Sequence, residues 1–343
     1  MSDMGKKANS GMLIPMDDLR RKAQALEPIS QEEAEFILNL PWDEFEKVMT
    51  ISRKQADKIS GKKIYFYYTG DKYPALSLTG EQCSLMCNHC KAELLKRLPP
   101  VRSSEELVKV CRNLERNGAK GCLLTGGCDA HARVPIGDFA EGIKRAKEET
   151  SLTLIAHTGP VEEEEIKQLK DAGLDGILLD IVGSPETTKK IYGIEIPEKR
   201  YIDTLKSCEN YGISIISPHV CVGLDYGKLS HELNSLRIIQ SITPTTIVII
   251  ALMPLLNTPM KDVRVNPEDV ARIVAVAKLM FPSIPITLGC AKSAGDLRSR
   301  IDELGIRAGV SAIAMPTESA REVAEELGYS IEKVETCCGV PPD

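Results

Sequence analysis

This chain alternates regularly between short β-branched runs and amphipathic segments of helical period, and that alternation limits the folds open to it. Several helical segments end in a glycine just before the next run, as at Gly118 and Gly173, and glycine is common directly beyond a helix C-terminus. The clearest helical segments are residues 105–117, 162–172, 198–211 and 267–280. The apolar runs are residues 75–79, 121–125, 152–156, 176–180, 213–217, 246–252, 284–288 and 311–315.

Strands that alternate with helices predict a parallel sheet. Eight runs suit one closed (β/α)8 TIM barrel, which is the fold class we predict, and a doubly wound open sheet is the competing arrangement. We expect a helical extension in residues 1–60, the barrel in residues 61–327 and an extended tail in residues 328–343. The tail is too polar and too short to form another β/α unit, yet it carries Cys337 and Cys338.

The composition limits the partners and the location of the protein. With 343 residues, 43% of them hydrophobic, the chain is long enough to bury a full core. Its net charge of -6 offers no broad basic surface, so we expect no nucleic-acid partner. The longest apolar run, residues 247–256, is too short to span a bilayer, and the polar N-terminus has no signal-peptide core. We therefore expect a cytoplasmic protein that does not bind a membrane.

Eleven cysteines are many for a cytoplasmic protein, because disulfide frameworks normally belong to short exported chains. Metal or redox chemistry accounts for them better. Three of the cysteines, Cys83, Cys87 and Cys90, fall within eight residues directly after the first predicted strand. Thiolate is the usual ligand of iron–sulfur clusters. Three thiolates on a [4Fe–4S] cube leave one iron open for a substrate or cofactor.

A zinc knuckle and a chance arrangement of these three cysteines both stay open as alternatives. Zinc fingers usually present paired C-x2-C units, and no second pair follows at the expected distance. The spacing C-x3-C-x2-C after a first barrel strand, with His89 before the last cysteine, resembles the radical S-adenosylmethionine superfamily. The resemblance implies a [4Fe–4S] cluster whose open iron binds S-adenosylmethionine. It also implies that this cofactor is cleaved to a 5′-deoxyadenosyl radical that abstracts hydrogen from an unactivated carbon.

The same resemblance assigns further residues to S-adenosylmethionine. Glycines after the second predicted strand let backbone carbonyls approach the cofactor's ammonium group, and many relatives carry Gly-Gly-Glu there. Cys128 stands in the place of that glutamate. The ribose is expected near the end of the fourth predicted strand, and adenine near the backbone after the fifth. The residues so assigned are Gly126, Gly127, Asp180, Val222 and Gly223.

Residues 75–315 resemble biotin synthase and its archaeal relatives, and residues 184–186 and 257–260 are among the matching stretches. Two departures count against biotin synthesis. Thr287 occupies the position where the arginine of that family's second cluster is expected, and residues 153–157 contain no cysteine. The nearest resemblance is to the biotin-synthase-like proteins of the archaeal two-protein lipoyl synthase. These proteins place sulfur on an octanoyl chain.

The remaining rim cysteines predict an auxiliary iron–sulfur cluster. Cys128 and Cys290 follow predicted strands, on the rim where barrel enzymes place catalysis. Ten extended residues can run about 30 Å, which is enough for the tail to return along the barrel. Neighbours in an extended chain point to opposite sides, so one of Cys337 and Cys338 is expected to bind. We predict that Cys128, Cys290 and one tail cysteine hold the cluster. The alternative is that these thiols are only buried or redox-silent.

Three further cysteines and two histidines also receive predicted roles. Cys111, Cys122 and Cys208 are expected in the core, because free cysteine is among the most buried residue types. His157 and His219 lie at predicted strand ends, where an imidazole could deprotonate a substrate or bind the cofactor carboxylate. An ordinary, hydrogen-bonded polar role is the alternative for both.

The resemblance implies a radical S-adenosylmethionine sulfurtransferase of lipoyl biosynthesis, with the auxiliary cluster as sulfur donor to an octanoyl chain. The implied partners are an octanoylated carrier protein or octanoyl-lysyl peptide, a second radical S-adenosylmethionine protein, and an electron donor such as ferredoxin or flavodoxin. One alternative is a biotin-synthase-like enzyme without sulfur insertion, which performs rearrangement or metallocofactor maturation. A further alternative is a non-catalytic iron–sulfur electron carrier.

Overall fold

The computed structural model describes residues 16–342. Residues 1–15, which include the start of the predicted helical extension and the polar N-terminus, lie outside the described residues. The α-helices of the described part are α1 (Met16–Ala25), α2 (Gln31–Leu38), α3 (Trp42–Ser60), α4 (Ser104–Arg116), α5 (Ala140–Glu149), α6 (Glu163–Asp171), α7 (Pro185–Tyr192), α8 (Glu198–Asn210), α9 (Glu232–Ile239), α10 (Pro267–Met280), α11 (Asp296–Ala308) and α12 (Glu318–Glu326).

One parallel sheet carries the fold. Its strands are β1 (Lys63–Tyr67), β2 (Ala75–Ser77), β3 (Gly121–Thr125), β4 (Thr153–His157), β5 (Gly176–Asp180), β6 (Ile215–Val222), β7 (Ile247–Ala251), β8 (Ile286–Leu288), β9 (Ala312–Ala314) and β10 (Ser330–Val334). Strands β2 to β9 are neighbours in the same order in which they follow one another in the chain. This order confirms the predicted (β/α) barrel class, since a doubly wound sheet reverses its order at a switch point.

Two strands are missing from the sequence-based prediction, and they change how the barrel is completed. The sheet order is β10-β1-β9-β8-β7-β6-β5-β4-β3-β2, so the eight predicted strands do not close directly on one another. Strand β1 pairs with β9 on one side and with β10 on the other. The first part of the tail, β10, is extended as predicted, but it joins the sheet through backbone hydrogen bonds. Polar side chains do not prevent this, because the ladder uses only main-chain groups.

A small inner core fills the space inside the curled sheet. Its buried members are Tyr67, Tyr73, Ile155, Leu178, Val248, Ala312, Ala314, Cys337 and Cys338. Most come from strand positions that face inward, whereas the two cysteines come from the tail. The sheet curls without pairing its edge strands, β10 and β2, so the predicted direct closure of eight strands is not seen, and the interior is close-packed as protein interiors are. The tail therefore supplies side chains to an interior that the strands alone do not fill.

The N-terminal helices pack on the outside of the barrel. Helix α2 begins with a capping box, in which the Ser30 hydroxyl accepts from the Glu33 amide and the Glu33 carboxylate accepts from the Ser30 amide. Helix α3 lies against α10 and α11. Its Ser52 hydroxyl donates to the Ala308 carbonyl oxygen at 2.6 Å, and Arg53 Nη1 donates to the Val310 carbonyl oxygen at 2.7 Å. These buried bonds fasten the extension to the end of α11.

No helix among residues 16–342 combines the length and the apolar composition that crossing a membrane requires.

A buried ion pair joins the loop after β8 to α11. Lys292 Nζ lies 2.6 Å from Asp302 Oδ1 and donates to the Ala314 carbonyl oxygen at 2.9 Å, and both charged side chains are fully buried. Removing one partner leaves an uncompensated buried charge, so Lys292→Met or Asp302→Leu alone should lower the free energy of unfolding by about 3–5 kcal/mol. The double variant should lose less than either single variant. Urea unfolding of the four proteins checks this, and additive losses would contradict it.

Candidate active site at the mouth of the barrel

The loops that follow the carboxyl ends of the strands form the mouth of the barrel. The segment after β2 carries Cys83, Cys87 and Cys90, which are half-buried, buried and half-buried respectively. The amides of Cys90 and Lys91 both donate to the Cys87 carbonyl oxygen, at 3.2 and 2.9 Å, so the chain turns tightly between the second and third cysteines. The three thiols are thus carried on one compact loop, residues 83–92, called the cysteine loop below.

The backbone of this cysteine loop is conformationally strained at three residues. Met86, Lys91 and Ala92 have φ values of 45°, 46° and 59°, in the left-handed region that non-glycine residues rarely adopt. The Asn88 amide donates to the Ile191 carbonyl oxygen at 2.7 Å, which ties the loop to the end of α7. Such strain persists only where neighbouring contacts fix the chain. The contact with α7 is one of the contacts that hold the loop in this conformation.

The thiols of the loop are placed to ionise. Contact with the Cys128 thiol lowers the pKa of Cys83 to about 5, and nearby backbone amides act in the same direction. Contact with the Cys87 thiol, and then with His89, lowers the pKa of Cys90. The pKa of Cys87 is raised, because its neighbour Cys90 takes the negative charge and burial disfavours a second one. Thiolate is the form that binds metals, so the loop offers a suitable donor set for an iron–sulfur cluster.

The glycine pair after β3 packs directly on the cysteine loop. The Gly127 amide donates to Thr79 Oγ1 at 2.7 Å. A Cβ atom on Gly127 would lie 1.9 Å from the Gln82 carbonyl oxygen and 2.6 Å from Cys83 Cβ, so no other residue fits. A Cβ on Gly126 would meet Thr79 at 3.0 Å. The Gly-Gly motif therefore serves close packing of two loops in addition to any contact with a cofactor.

The residues assigned to the ribose and adenine lie on the neighbouring strands. Asp180 ends β5 and is exposed at the mouth. Strand β6 continues to Val222, beyond the predicted run of residues 213–217, so Val222 belongs to the strand and only Gly223 begins the loop. Gly223 has a φ of 77°, which favours glycine. All three stay predictions as cofactor contacts.

Glu232, which the sequence did not single out, organises this loop. Its side chain is buried, and Oε1 accepts from the Gly223 amide at 2.9 Å. Oε2 accepts from the amides of Ser230 and His231 at 2.7 and 3.0 Å. A glutamate in the first turn of a helix is usually exposed, so nothing in the local pattern distinguishes it. The carboxylate gains its three hydrogen-bond partners only because the loop after β6 folds back against the start of α9.

Two histidines face each other across the ends of β4 and β6. The ring centroids of His157 and His219 are 5.1 Å apart, edge to face, and His219 Nδ1 is 2.9 Å from the Ser217 carbonyl oxygen. Burial first, and then the neighbouring His157, lowers the pKa of His219 to about 4. Burial also lowers the pKa of His157. Both rings are therefore neutral at pH 7. Neither is assigned a catalytic role.

The four thiols predicted to hold the auxiliary cluster fall into two places. Cys128 lies beside Cys83, on the side of the cysteine loop. Cys290 lies beside Cys338, which in turn contacts Cys337. The structure thus brings Cys290 together with both tail cysteines and leaves Cys128 apart from them. Whether any of these residues binds a cluster stays a prediction.

The tail also departs from the extended geometry on which a single tail ligand was predicted. The Val340 amide donates to the Cys337 carbonyl oxygen at 2.9 Å, so residues 337–340 form a turn. A turn does not alternate its side chains as a strand does; both thiols are buried, and Cys338 contacts Cys290. The prediction that one of the pair binds a cluster stays a prediction.

The three cysteines predicted in the core are buried, as expected for small apolar side chains. Cys111 on α4 and Cys122 on β3 are in contact with each other, and Cys208 lies on α8. Within residues 16–342, no three His, Cys, Asp or Glu side chains meet closely enough to hold a single metal ion. Thiols that hold a cluster bind different irons and need not meet at one point.

The part of the chain that forms the mouth of the barrel matches a known protein family. The family model for the Radical SAM superfamily matches residues 77–228, which include the cysteine loop, the glycine pair, Asp180 and Gly223. Biotin synthase from Coxiella burnetii is 27% identical over 199 residues, covering 55% of this chain and 59% of that enzyme. Biotin synthase from Methylococcus capsulatus is 24% identical over 316 residues, covering 86% and 90%. The match to the Coxiella enzyme spans only about three fifths of its length.

Solved structures show the same fold. HydG, an [FeFe]-hydrogenase maturase from Carboxydothermus hydrogenoformans, superposes with a TM-score of 0.64 at 20% identity, covering 92% of this chain and 79% of that one. Methylornithine synthase superposes with a TM-score of 0.65 at 17% identity, covering 92% and 97%. At this level of identity the likeness concerns the fold.

The contact between the two mouth loops gives a prediction. Gly127→Ala should displace Cys83, because the new Cβ collides with backbone atoms that cannot move aside. We expect the variant to lose the iron bound by the cysteine loop after anaerobic reconstitution, measured as iron per chain. Gly137→Ala is the matched control, because its Cβ would meet only the ends of the flexible Gln168 and Glu165 side chains. Full iron content in the Gly127→Ala protein would contradict the prediction.

The buried His219 gives a second prediction, on pH. Its pKa is about 4 in the folded protein and near 6.5 when unfolded, so its stabilising contribution is present above pH 6.5 and is lost as the pH falls toward 4. Between pH 7 and pH 5 this titration should lower the free energy of unfolding by about 2 kcal/mol. The His219→Gln variant should not show this pH-dependent loss in its free energy of unfolding. Urea unfolding of both proteins across this pH range measures it, and equal slopes would refute it.

Proposed function

Because the chain belongs to the radical S-adenosylmethionine superfamily, in its biotin-synthase-like group, we propose that it inserts sulfur at an unactivated carbon of an octanoyl chain. Membership implies a [4Fe–4S] cluster and S-adenosylmethionine as cofactors. The observation that carries the proposal is the presence of two separate groups of thiols. One is on the cysteine loop, and the other is below it, inside the barrel.

The residues of the cysteine loop fit the cluster. When bound, the cluster and S-adenosylmethionine supply a carbon-centred radical that removes hydrogen from an unactivated carbon. Cys83, Cys87 and Cys90 would hold the cluster, and the strained loop fixes their positions. Gly127 brings backbone close to the same place. His89 Nδ1 is buried there without a hydrogen-bond partner among the described residues, so the loop has a free polar atom to offer a ligand.

The other assigned residues would hold and shield the cofactor. Asp180 presents an exposed carboxylate at the end of β5, which suits the hydroxyl groups of a ribose. Gly223 would offer backbone for a purine and Gly126 backbone for the ammonium group, whereas the side chain of Val222 is fully buried in the core and offers no surface to a ligand. Glu232 holds the loop after β6 in place by accepting a hydrogen bond from the Gly223 amide.

The surface around the mouth supports an apolar substrate. Six large hydrophobic side chains are exposed within the described residues, and five of them lie in loops that follow strand ends. Leu256 is the most exposed, at 86%. In this proposal an acyl chain, or the protein that carries it, would cover these residues. The five are Met86, Leu94, Tyr226, Leu256 and Met315.

The partners belong to the same proposal. The substrate would be an octanoyl group on a carrier protein or on a lysyl peptide. A second radical S-adenosylmethionine protein would complete the reaction, and a ferredoxin or flavodoxin would deliver electrons in the cytoplasm. The exposed side of the cysteine loop, with Met86 and the nearby Leu94, is where an electron donor could approach the cluster.

Two alternative functions can be distinguished from sulfur insertion by the products that the protein forms. A rearrangement or metallocofactor-maturation enzyme would cleave S-adenosylmethionine but form no carbon–sulfur bond. An iron–sulfur electron carrier would not cleave S-adenosylmethionine at all. The second group of thiols favours sulfur insertion over both, because sulfur insertion needs a sulfur source close to the cofactor.

The decisive experiment incubates an octanoyl-lysyl peptide with S-adenosylmethionine and the anaerobically reconstituted, reduced protein. Mass spectrometry should find peptide that has gained sulfur, together with 5′-deoxyadenosine. The experiment is repeated with the second radical protein if it is identified. Formation of 5′-deoxyadenosine without sulfur in the peptide would favour the first alternative. Absence of both products would favour the electron carrier.

The cysteine loop gives a third prediction. Cys83→Ala, Cys87→Ala and Cys90→Ala should each end the cleavage of S-adenosylmethionine to 5′-deoxyadenosine, because each removes one of three ligands to the same cluster. Chromatography of the nucleoside products measures this. Cys208→Ala is the matched control, since that thiol lies in the core away from the mouth and should leave cleavage unchanged. Cleavage that survives in any of the three loop variants would rule out the assignment.

A further inference from the structure

A cleft runs between helices α1 and α3, on the outside of the barrel. All of its lining residues belong to these two helices, and none belongs to the loops at the mouth. Its volume is about 240 Å³. Pockets that hold drug-sized ligands measure roughly 300–1,000 Å³. The cleft can therefore take one small molecule, part of which stays in solvent, but it cannot take a folded partner.

Both walls of the cleft are held in place by contacts within the protein. Lys58 Nζ, on α3, donates to the Gln24 carbonyl oxygen near the end of α1 at 2.6 Å. On α1, Lys22 pairs with Glu33 of α2, and the Ala23 side chain is buried. Helix α3 is in turn fastened to the end of α11, as described above. The cleft is thus a defined feature of the fold.

A buried amide with no hydrogen-bond partner lies at the cleft. Gln55 lines it and is 1% exposed, yet neither Nε2 nor Oε1 has a partner within residues 16–342. Buried polar groups are normally paired, because an unpaired one loses its hydration without compensation. The amide offers one donor group and one acceptor group side by side. A ligand that satisfies it must present an acceptor and a donor in the same arrangement, which a simple anion does not.

The rim of the cleft is strongly positive. Four of its lining side chains are cations and none is a carboxylate. Two of the cations pair with carboxylates beside the cleft, Asp17 and Glu44, and exposed ion pairs of this kind contribute little to stability. Lys54 is exposed and forms no ion pair in the described part of the chain. An anionic group could therefore gain these cations at low cost. The four are Arg20, Lys47, Lys54 and Lys58.

We propose that this cleft binds an adenine mononucleotide, with the base on the Gln55 amide and the phosphate among the cations at the rim. A glutamine amide pairs with the edge of adenine through one donor and one acceptor. The rim side chains are long and flexible, so they can open a path for the base, and their methylene stems and Ile51 offer apolar surface to its faces. Lysine and arginine are common ligands of phosphate. The site is separate from the mouth and does not depend on the proposed function.

The test is a calorimetric titration of the full-length, unreduced protein with adenosine 5′-monophosphate. Saturating S-adenosylmethionine is present throughout, so that binding at the mouth does not contribute. We expect one nucleotide per chain. Adenosine and inorganic phosphate, titrated separately, should each bind at least about tenfold more weakly, because each keeps only one half of the contacts.

Two substitutions locate the site. Gln55→Leu should weaken nucleotide binding by about tenfold or more, because it removes the pairing with the base. The variant should stay folded, with an unchanged or higher urea midpoint, because it removes a buried unpaired amide. Lys54→Ala should weaken binding severalfold and make it less dependent on salt. Lys206→Ala is the matched control, because this lysine is also exposed on a helix but lies outside the cleft, on α8.

Four outcomes would overturn the proposal. One is no binding of the nucleotide at about 1 mM, and another is abolition of binding by S-adenosylmethionine, which would assign the nucleotide to the mouth. Unchanged affinity in the Gln55→Leu protein would show that the base does not reach the amide. Inorganic phosphate that binds as tightly as the nucleotide would show a simple anion site. No radical chemistry or octanoyl peptide enters this test, so its failure is distinct from a failure of the proposed function.

Discussion

Close packing inside the curled sheet governs how this chain is arranged. The two edge strands, β10 and β2, do not pair with each other, and a close-packed protein leaves few voids in the space that the sheet curls around. The chain fills it with inward strand residues and with the turn at residues 337–340. The tail thus adds a strand to the sheet and then contributes side chains to its interior. The turn also brings Cys338 against Cys290, which lies far from it in the sequence.

The mouth of the barrel is organised by packing between loops. Gly127 touches the backbone of the cysteine loop so closely that any side chain would displace Cys83, and Asn88 anchors the same loop to α7. At the loop after β6, the buried Glu232 holds the backbone of Gly223. The strained backbone of the cysteine loop persists because these contacts hold it.

The two groups of thiols differ in their surroundings, and this difference bears on their chemistry. The cysteine loop has backbone amides and His89 beside its sulfur atoms, so negative charge is stabilised there. The tail thiols lie among tyrosine and aliphatic side chains, and the neighbouring Cys337 thiol together with burial raises the pKa of Cys338. The first place is open to the mouth, whereas the second lies mostly inside the barrel and reaches the mouth at Cys290.

Local patterns in the sequence were enough to predict the barrel class, the run from β2 to β9 and the cysteine loop, because periodicity and short spacings are properties of neighbouring residues. Strands β1 and β10, the buried role of Glu232 and the separation of Cys128 from Cys290 emerged only from the folded chain. Tyr67 and Val340, which fix the tail, are 273 positions apart. A local sequence pattern cannot predict such a pairing, because the two residues meet only when the strands have assembled into the sheet and the tail has packed inside it.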